Sequence, residues 1–481
     1  MNLISGLLGR IWNAMAMTVP KYSPPTQPLV VILGSTGTGK SDLAIELAKR
    51  FRGEVINADA MQMYRGLPVI TNKLPIADRQ GIPHHLLDHI ALSEETWVVE
   101  DFKREATTLI REIRSRGKLP IVVGGTHYYT NALLFEDILV EAEEDKSADF
   151  PILDEPTEVI LAKLKEVDPI MAERWHPNDR RKIRRSLQIY LRSRQRASDI
   201  YAEQRNKNAI AATLPEEDSD GPWETLLLWV HSDSEILKAR LDTRVDKMVE
   251  NGLMEEVHDL YRYLKEQRSA GNDVDLTRGI WQSIGFKEFQ KYLEAMDNSG
   301  TTDALEDKAL AKLKSSGIAD VKTATRRYAG YQTKWIRRKL IPLLKQEHAD
   351  AYNHLFVFDS TDVSAWSEEV ARPATDITKL FLKGEPLPIP ANLSSAAKQV
   401  LEGASDATEY VPCRKTCELC NVTALYEVKW QEHLRSHRHK RAVVKQKKRA
   451  LVPIPADNIQ KIAEADVNRT NGPIISSINP P

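Results

Sequence analysis

The feature that most constrains this chain is a glycine-rich loop between an apolar strand pattern and an amphipathic helix pattern. Residues 29–33 read LVVIL, which has the β-branched content and the length of a buried strand. Residues 34–41 read GSTGTGKS, and apolar residues then recur at helical spacing from Leu43 to Ala48. A strand, this loop and a helix, in that order, are the setting in which the pattern forms a phosphate-binding P-loop.

The residues of the P-loop indicate what it binds. Glycines allow successive backbone N–H groups to point inward, and the N-terminus of the following helix adds partial positive charge. Lys40 is expected to neutralise phosphate oxygens, and the Ser41 hydroxyl is expected to bind Mg²⁺. The predicted ligand-binding residues are Gly34, Ser35, Thr36, Gly37, Thr38, Gly39, Lys40 and Ser41. The motif predicts a phosphate or diphosphate ligand and leaves the reaction open.

Length and composition predict more than one domain. The chain has 481 residues, and its hydrophobic content of 42% is enough for a substantial core. No apolar run approaches the ~18 residues of a membrane span, so we expect no membrane partner. All three cysteines lie between Cys413 and Cys420, which favours a reducing compartment and a local metal site over a disulfide framework.

Residues 1–28 precede the P-loop strand and contain Arg10 and Lys21 but no acidic residue. Apolar residues among the first twelve could form one face of a short helix, which is typical of a mitochondrial presequence. The low arginine content fits a flexible segment equally well. Initiation of translation at Met15 or Met17 would give a protein that lacks most of this segment. The resulting expectation is a mixed mitochondrial and cytoplasmic population, with the nucleus as a further location.

Two further strand patterns end in residues that suit a ligand site. Residues 54–58 lead into Asp59, and residues 119–123 lead into a glycine pair followed by Thr126. Because the carboxyl ends of parallel strands meet at one edge of a sheet, both ends should face the P-loop. Asp59 could then be a Mg²⁺ ligand, a general base or a helix N-cap. Thr126 could offer a hydroxyl to a phosphate or ribose, and a simple strand-to-helix turn also explains the glycines.

From about residue 140 to 222 the sequence changes to helical patterns with high charge, which predicts a helical insert. Residues 174–196 contain nine Lys or Arg and a single acidic residue. Ile183, Leu187 and Tyr190 would form the apolar face of a helix whose other faces are cationic. Such a helix suits a nucleic acid backbone.

Two later segments also carry basic side chains. Arg240 and Arg244 lie one turn apart on a predicted helix, where spacing alone allows either contact with a phosphate or simple surface exposure. Residues 325–339 contain six Lys or Arg, no acid, and three interleaved aromatic residues. Basic residues can hold phosphates while aromatic residues stack on bases, which again favours nucleic acid binding.

The C-terminal part predicts a zinc finger. Cys417 and Cys420, with twelve residues between Cys420 and His433, have the spacing of a closed tetrahedral Zn²⁺ site. Spacing allows either His437 or His439 as the fourth ligand, and we favour His439 because the surrounding pattern is similar to matrin or U1-type fingers. Eleven basic residues against three acidic ones between positions 413 and 450 suit RNA or DNA.

The predicted fold class is α/β, with a P-loop NTPase-like parallel sheet core, a helical insert and a small C-terminal C2H2 zinc finger. The predicted boundaries are a core at 29–385, a linker at 386–410, a finger at 411–450 and a disordered tail at 451–481.

Six motifs together resemble the tRNA dimethylallyltransferases, also called tRNA isopentenyltransferases. They are residues 34–41, 56–64 (INADAMQMY), 82–85 (IPHH), 124–126 (GGT), 179–185 (DRRKIRR) and 282–288 (QSIGFKE). The finger resembles that of the eukaryotic branch. The resemblance covers about residues 29–440, and the motifs are jointly far more specific than the P-loop alone.

The resemblance implies a prenyl transfer reaction. In this family the P-loop holds the diphosphate of dimethylallyl diphosphate, and the acceptor is the exocyclic N6 amine of the adenosine 3′-adjacent to the anticodon. The residues implied to assist the departing diphosphate, together with Mg²⁺, are Thr38, Gly39, Lys40, Ser41 and Arg244. Asp59 matches the general base of the family, which decides against a metal-ligand role.

The resemblance also implies how tRNA is held. The target adenosine must be unstacked to reach the cleft. The implied tRNA-binding residues are Asp59, Ala60, Met61, Gln62, Thr126, Arg180, Arg181, Lys182, Ile183 and Arg184. The family commonly has Ser where this chain has Ala60, so a hydroxyl contact to substrate is expected to be absent, and many members have Gly in place of His127. A monomer is expected.

Two other functions fit part of the pattern. A P-loop kinase of a nucleoside or another small molecule would explain the P-loop and Asp59, but not the basic insert or the finger. A non-catalytic RNA-binding protein would explain the basic segments, but it would not need Lys40, Ser41 and Asp59.

Overall fold

A computed structural model describes most of the chain. The described residues are 23–135, 150–203, 223–298, 304–347, 349–403 and 412–450. The presequence predicted within 1–28 lies almost wholly outside them, as does all of the tail predicted at 451–481. Contacts divide the chain into two units, one drawn from residues 1–141 and 201–407 and the other from 142–200 and 408–481. Among the described helices, none has both the length and the apolar character to cross a bilayer.

A six-stranded parallel sheet forms the centre of the first unit. Its strands are β1 (Pro28–Gly34), β2 (Gly53–Asn57), β3 (His84–His85), β4 (Leu119–Val123), β5 (Glu224–His231) and β6 (Leu355–Asp359), in the spatial order β3-β2-β4-β1-β5-β6. Every neighbouring pair is parallel. The predicted α/β class with a P-loop strand inside a parallel sheet is therefore confirmed, although β1 begins one residue earlier than its pattern suggests.

Helices connect and cover the strands. In chain order they include α1 (Lys40–Phe51), α2 (Val99–Ser115), α3 (His127–Leu134), α4 (Thr157–Val167), α5 (Pro169–Arg174), α6 (Arg180–Ser193), α7 (Ser234–Glu250), α8 (Leu253–Ser269), α9 (Gln290–Asn298), α10 (Ala304–Trp335), α11 (Ile341–Glu347), α12 (Ala349–Asn353), α13 (Arg372–Lys383), α14 (Ser395–Glu402), α15 (Glu427–Arg435) and α16 (His437–Ala450). A π-helical turn, Ile336–Leu340, continues α10.

The core of the first unit has two apolar layers, one on each face of the sheet. Side chains alternate along β1, so Val30 and Ile32 pack with α1 and α13 while Val31 and Leu33 pack with α2 and α8. Burial of each such side chain contributes roughly 1.5–3 kcal/mol relative to exposure. Because both faces of β1 are covered, the point at which the strand ends and the P-loop begins is fixed.

The predicted linker at 386–410 is wrong for its described part. Residues 395–402 form α14, and Ala397, Val400 and Leu401 are buried in the core of the first unit. The Pro, Ser and Ala content suggested a linker, but the alanine and leucine positions form an apolar helix face that the composition alone conceals. Residues 404–411 lie outside the described range.

The second unit joins the helical insert to the C-terminal segment. α4, α5 and α6 share a core that includes Ile183 and Leu187. Tyr190, predicted on the same face, is only half-buried. The C-terminal part has a hairpin of β7 (Pro412–Cys417) and β8 (Val422–Tyr426), followed by α15 and α16. The two parts are hydrogen-bonded, since His176 Nε2 contacts the Thr423 carbonyl at 3.1 Å and Arg414 donates to the Ala172 carbonyl at 2.8 Å.

Candidate active site

The P-loop connects the carboxyl end of β1 to the first turn of α1. Gly39 immediately precedes this helix and has a φ of 89°, which L side chains rarely adopt. A Cβ atom placed on Gly39 would lie 2.6 Å from the indole of Trp366, which packs against the loop. Glycine is therefore required here both by the backbone conformation and by the close approach of Trp366.

Hydrogen bonds inside the P-loop converge on one backbone carbonyl. The Lys40 ammonium and the Thr38 hydroxyl both donate to the Ser35 carbonyl, at 2.7 and 2.9 Å. The pKa of Lys40 is lowered to about 8, chiefly by burial; Asp59 opposes this shift and Arg244 adds to it. Within the described part of the chain, the Lys40 ammonium donates to a backbone carbonyl and to no carboxylate, as a phosphate-binding lysine requires.

Asp59 lies just after β2, as the sequence predicted, and hydrogen bonds with residues next to it in the chain hold it in place. The Asn57 side chain accepts from the Asp59 N–H and donates to the Asp59 carbonyl, both at 3.1 Å, and it also donates to the Leu86 carbonyl at 2.9 Å. The Asp59 carboxylate accepts from the Met61 N–H at 3.1 Å. Asn57 was not singled out from the sequence, although its position two residues before Asp59 at a strand end was an available signal.

The environment of Asp59 suits a base. Burial raises the pKa of its carboxyl group, and this outweighs the opposing effects of Lys40, the Met61 and Gln62 amides and Arg244. A carboxylate with a raised pKa is a stronger proton acceptor than an exposed one. The geometry therefore supports the general-base interpretation of Asp59.

Residues 124–126, here named the second glycine loop, pack directly against Asp59. A Cβ atom on Gly124 would lie 2.2 Å from the Ala58 backbone, and one on Gly125 would lie 3.3 Å from an Asp59 carboxylate oxygen. The Thr126 hydroxyl accepts from the Ala60 N–H at 3.0 Å. The expectation that these two strand ends meet is confirmed, and the observed partners of the Thr126 side chain are the Ala60 backbone and the Tyr328 side chain.

Among the other predicted contact residues in this region, Met61 and Gln62 lie in a short 3-10 turn after Ala60, and Gln62 donates to the Asn72 carbonyl at 3.0 Å.

Both arginines of α7 contact the P-loop. Arg244 donates to the Thr36 hydroxyl at 2.8 Å, and Arg240 donates to the Gly37 carbonyl at 3.2 Å and to the carbonyls of Ser360 and Thr361. Burial lowers the pKa of Arg244 to about 10, and its Nε has no hydrogen-bond partner among the described residues. Spacing had left surface exposure open for both residues, and the structure excludes it.

Helix α10 forms a further wall of the site. Ser35 donates to the Ala329 carbonyl at 3.1 Å and pairs with the Thr333 hydroxyl at 2.7 Å. Gln332 accepts from the Thr36 N–H at 2.8 Å and donates to the Gly125 carbonyl at 2.9 Å. The sequence had assigned this helix to nucleic acid binding by its basic and aromatic content, so these polar side chains were missed.

Aromatic residues of α10 also face the second glycine loop. Tyr328 donates to the Gly125 carbonyl at 3.4 Å, and Trp335 stacks on His127 with ring centroids 5.0 Å apart and planes 17° apart. His127 is buried, and burial together with Lys40 lowers its pKa to about 3. The ring is thus uncharged at neutral pH.

The predicted tRNA-binding residues of the insert lie on α6 in the second unit. Arg180 and Arg184 both donate to the Leu153 carbonyl, at 3.1 and 3.2 Å, so their guanidinium groups also stabilise the insert. Ile183 is buried in the insert core, Arg181 is exposed, and Lys182 lies over the Trp175 ring at 5.0 Å.

Four residues of the second unit form a candidate metal centre. The ligand atoms of Cys417, Cys420, His433 and His439 all lie within 4.8 Å of one another. His439 Nδ1 is 3.4 Å from the Cys417 sulfur and 3.7 Å from the Cys420 sulfur. The set contains His439 rather than His437, as favoured from the sequence.

Comparisons with known proteins agree on one family. A family model described as IPP transferase matches residues 62–339. The tRNA dimethylallyltransferase of Schizosaccharomyces pombe is 37% identical over 453 residues, covering 90% of this chain and 99% of that protein. The human tRNA dimethylallyltransferase is 34% identical over 428 residues, covering 86% and 85%. A solved structure of a eukaryotic dimethylallyltransferase acting on tRNA is 34% identical with a TM-score of 0.73, covering 88% and 98%.

Replacement of Gly39 tests the P-loop as a diphosphate site. We expect Gly39→Ala to weaken binding of inorganic diphosphate with Mg²⁺ by about tenfold or more, because the methyl group meets Trp366 and the φ of 89° is strained. Isothermal titration calorimetry measures this change. Gly117→Ala is the control, since Gly117 has a φ of 65° with no atom within 4 Å of the new methyl group. Equal affinities of the Gly39 variant and wild type would contradict the assignment.

Proposed function

This chain belongs to the IPP transferase family, and we propose that its first unit transfers a dimethylallyl group from dimethylallyl diphosphate to tRNA. The acceptor is the exocyclic N6 amine of the adenosine 3′-adjacent to the anticodon, and diphosphate is released. The observation that carries this proposal is the meeting of a P-loop and a carboxylate of raised pKa at one edge of the sheet. The enzyme is a tRNA dimethylallyltransferase by class.

The reaction requires one bond to form and one to break. The N6 nitrogen forms a bond to C1 of the dimethylallyl group, while the bond from C1 to the diphosphate oxygen breaks. The electron pair of that bond leaves with diphosphate, and the amine proton passes to the Asp59 carboxylate. Asp59 suits this role because an adenine amine is a weak nucleophile that must lose its proton as the new bond forms.

Stabilisation of the leaving diphosphate falls to the P-loop. Lys40, Arg240 and Arg244 are cations beside the loop, and the α1 N-terminus adds backbone N–H groups. These donors are fixed by the loop's internal hydrogen bonds before substrate arrives, so little reorganisation accompanies the build-up of charge. Thr38 contributes by its bond to the Ser35 carbonyl, which helps to hold the loop in shape.

The residues at the P-loop also fit Mg²⁺. The Ser41 hydroxyl lies in the first turn of α1 and has no hydrogen-bond partner among the described residues, which leaves an oxygen ligand available. A hard cation with oxygen ligands is what bound diphosphate requires. When bound, Mg²⁺ would neutralise part of the diphosphate charge.

The second unit supplies residues for holding tRNA and a site for Zn²⁺. The separations of 3.4 and 3.7 Å between the His439 nitrogen and the two sulfur atoms match the ~3.5 Å expected between N and S ligands of a tetrahedral zinc ion. His433 Nε2 is buried without a partner, which also fits a metal ligand. The exposed Arg181 and Lys182 and the basic helix α16 are suited to phosphate contacts.

A P-loop kinase is the competing function, and the comparisons do not support it. The relatives described above are named as transferases that act on tRNA. The kinase alternative also gives no purpose to the second unit. A non-catalytic RNA-binding protein is disfavoured because the P-loop and Asp59 retain hydrogen bonds suited to catalysis.

Replacement of Asp59 tests the reaction and its base together. Purified protein is incubated with radiolabelled dimethylallyl diphosphate, Mg²⁺ and an undermodified tRNA. We expect wild type to label the tRNA and Asp59→Asn to lower kcat by about 10²–10⁴-fold, because the amide cannot accept the proton. Isothermal titration calorimetry of diphosphate binding to the variant is the control for an intact P-loop. Absence of labelling by folded wild type with several tRNAs, together with phosphorylation of a nucleoside from ATP, would favour the kinase instead.

The pH dependence of kcat/KM should report the pKa values of Asp59 and Lys40. Asp59 must be deprotonated to act, and its pKa is raised, so activity should rise with pH through a value above the ordinary 3.8. Lys40 must be protonated to bind diphosphate, and its pKa is lowered to about 8, so activity should fall as the pH rises through about 8. In kcat the alkaline limb should move to higher pH, because bound diphosphate stabilises the ammonium. Alkaline limbs at the same pH in kcat and kcat/KM would contradict the role of Lys40.

Two cysteine replacements test the metal site. We expect Cys420→Ser to lose the bound zinc that atomic absorption detects in wild type, because one thiolate ligand is removed. Cys413→Ser should retain zinc, since Cys413 lies outside the ligand set. Loss of zinc from both variants, or from neither, would argue against the assigned ligands.

A further inference from the structure

We propose that Gln332 is a positioning residue that fixes the distance between the diphosphate-binding loop and the catalytic base. This inference rests on the proposed function, because it assigns Gln332 to the same transfer reaction. Gln332 lies on α10, and its side chain contacts both the P-loop and the second glycine loop. It does not need to contact either substrate.

The two hydrogen bonds of Gln332 require an amide. Its carbonyl oxygen accepts from the Thr36 N–H at 2.8 Å, and its NH₂ group donates to the Gly125 carbonyl at 2.9 Å. The side chain is 1% exposed, so water cannot replace either partner. A carboxylate could accept the first bond but could not donate the second, and an apolar side chain could make neither. This position therefore requires both the donor and the acceptor of the amide, and not only a side chain of this size.

The contact with Gly125 connects Gln332 to the base. A Cβ atom on Gly125 would lie 2.3 Å from the Gln332 nitrogen and 3.3 Å from an Asp59 carboxylate oxygen. The absence of a side chain at Gly125 thus lets the amide and the carboxylate approach the same point of the backbone. Gln332 is thus hydrogen-bonded to Thr36 and to Gly125, and the Asp59 carboxylate lies beside Gly125.

Two neighbours of Gln332 on the same helix reinforce the P-loop side. Ala329 accepts from the Ser35 hydroxyl, and Thr333 pairs with that hydroxyl at 2.7 Å. Residues three and four positions apart share one face of a helix, so all three contacts come from a single face of α10. On the other side of the loop, Arg244 donates to the Thr36 hydroxyl at 2.8 Å. Thr36 is thus held from two helices, while its N–H depends on Gln332 alone among the described residues.

Gln332→Met tests the positioning role by kinetics. Met has nearly the same volume but neither hydrogen-bonding group, so we expect kcat to fall by about 30- to 100-fold, the effect of a misplacement of about 1 Å. KM for dimethylallyl diphosphate and for tRNA should change by less than about threefold, because the groups that bind them remain. Gln290→Met is the matched control, since Gln290 is exposed and donates to the Glu294 carboxylate at 2.8 Å, far from both loops in sequence and with no bond to either among the described residues. A kcat of Gln332→Met within about twofold of wild type would overturn the inference.

The pH dependence of kcat in Gln332→Glu distinguishes a hydrogen-bonding role of this side chain from a role in packing alone. A neutral carboxylic acid offers one donor and one acceptor, the same pattern as the amide, whereas a carboxylate offers acceptors only. Burial and the nearby Asp59 favour the neutral form, while Lys40 and Arg244 favour the charged one. We expect the kcat of this variant, divided by that of wild type at each pH, to rise by about tenfold between pH 8 and pH 5.5. A flat ratio, with Gln332→Met impaired, would assign Gln332 to packing and overturn the positioning role.

Hydrogen exchange separates this inference from the proposed function. The Thr36 amide should exchange about tenfold faster in Gln332→Met than in wild type and Gln290→Met, because it loses its acceptor. Equal exchange in all three proteins would overturn the inference even if transfer activity is present. If wild type transfers no label while the Thr36 amide is protected as expected, the hydrogen bond from Thr36 to Gln332 is supported and the proposed reaction is contradicted.

Discussion

The close backbone contact between the ends of β2 and β4 is the constraint on which the site depends. The Thr126 N–H donates to the Ala58 carbonyl at 3.2 Å, and a Cβ atom on Gly124 would overlap the same peptide group. This contact exists because both strands pair in parallel within a sheet that is buried on both faces. It places Asp59 beside the second glycine loop and aims both at the P-loop of the neighbouring strand.

Charge balance in the cleft follows from that arrangement. Lys40, Arg244 and Asp59 occupy one partly desolvated region, where burial acts against the charged form of each. Together with Arg240, which also contacts the P-loop, these cations outnumber the carboxylates of Asp59 and Asp42, and the resulting positive charge favours an anionic ligand. His127 adds none, because its ring is neutral. An uncharged aromatic wall of His127 and Trp335 beside a cationic loop suits a substrate with an apolar chain and an anionic end.

Local sequence patterns predicted the elements that depend on local chemistry. The strand, P-loop and helix were evident because β-branched residues, glycines and helical spacing each act over a few residues. Spacing also indicated Cys417, Cys420 and His433 of the candidate metal centre, whereas His439 was favoured over His437 only by the resemblance of the surrounding pattern to known fingers. Gln332 and Asn57 could not be predicted in the same way, since their partners depend on tertiary packing; Thr36 lies 296 positions from Gln332. Composition misled at residues 395–402, where Ser and Ala suggested a linker and burial gives a helix.

The join between the insert and the C-terminal segment has a consequence for how the chain is made. His176 and Thr423 are 247 positions apart, and Arg414 and Ala172 are 242 positions apart. Because synthesis proceeds from the N-terminus, the insert leaves the ribosome long before its partner strands exist. The second unit is therefore completed after the first unit has been synthesised, and closing so long a loop is slow compared with local helix formation. A transcript that ends before residue 412 would produce the sheet unit with an insert whose Ala172 carbonyl has lost its donor, whatever the state of the P-loop.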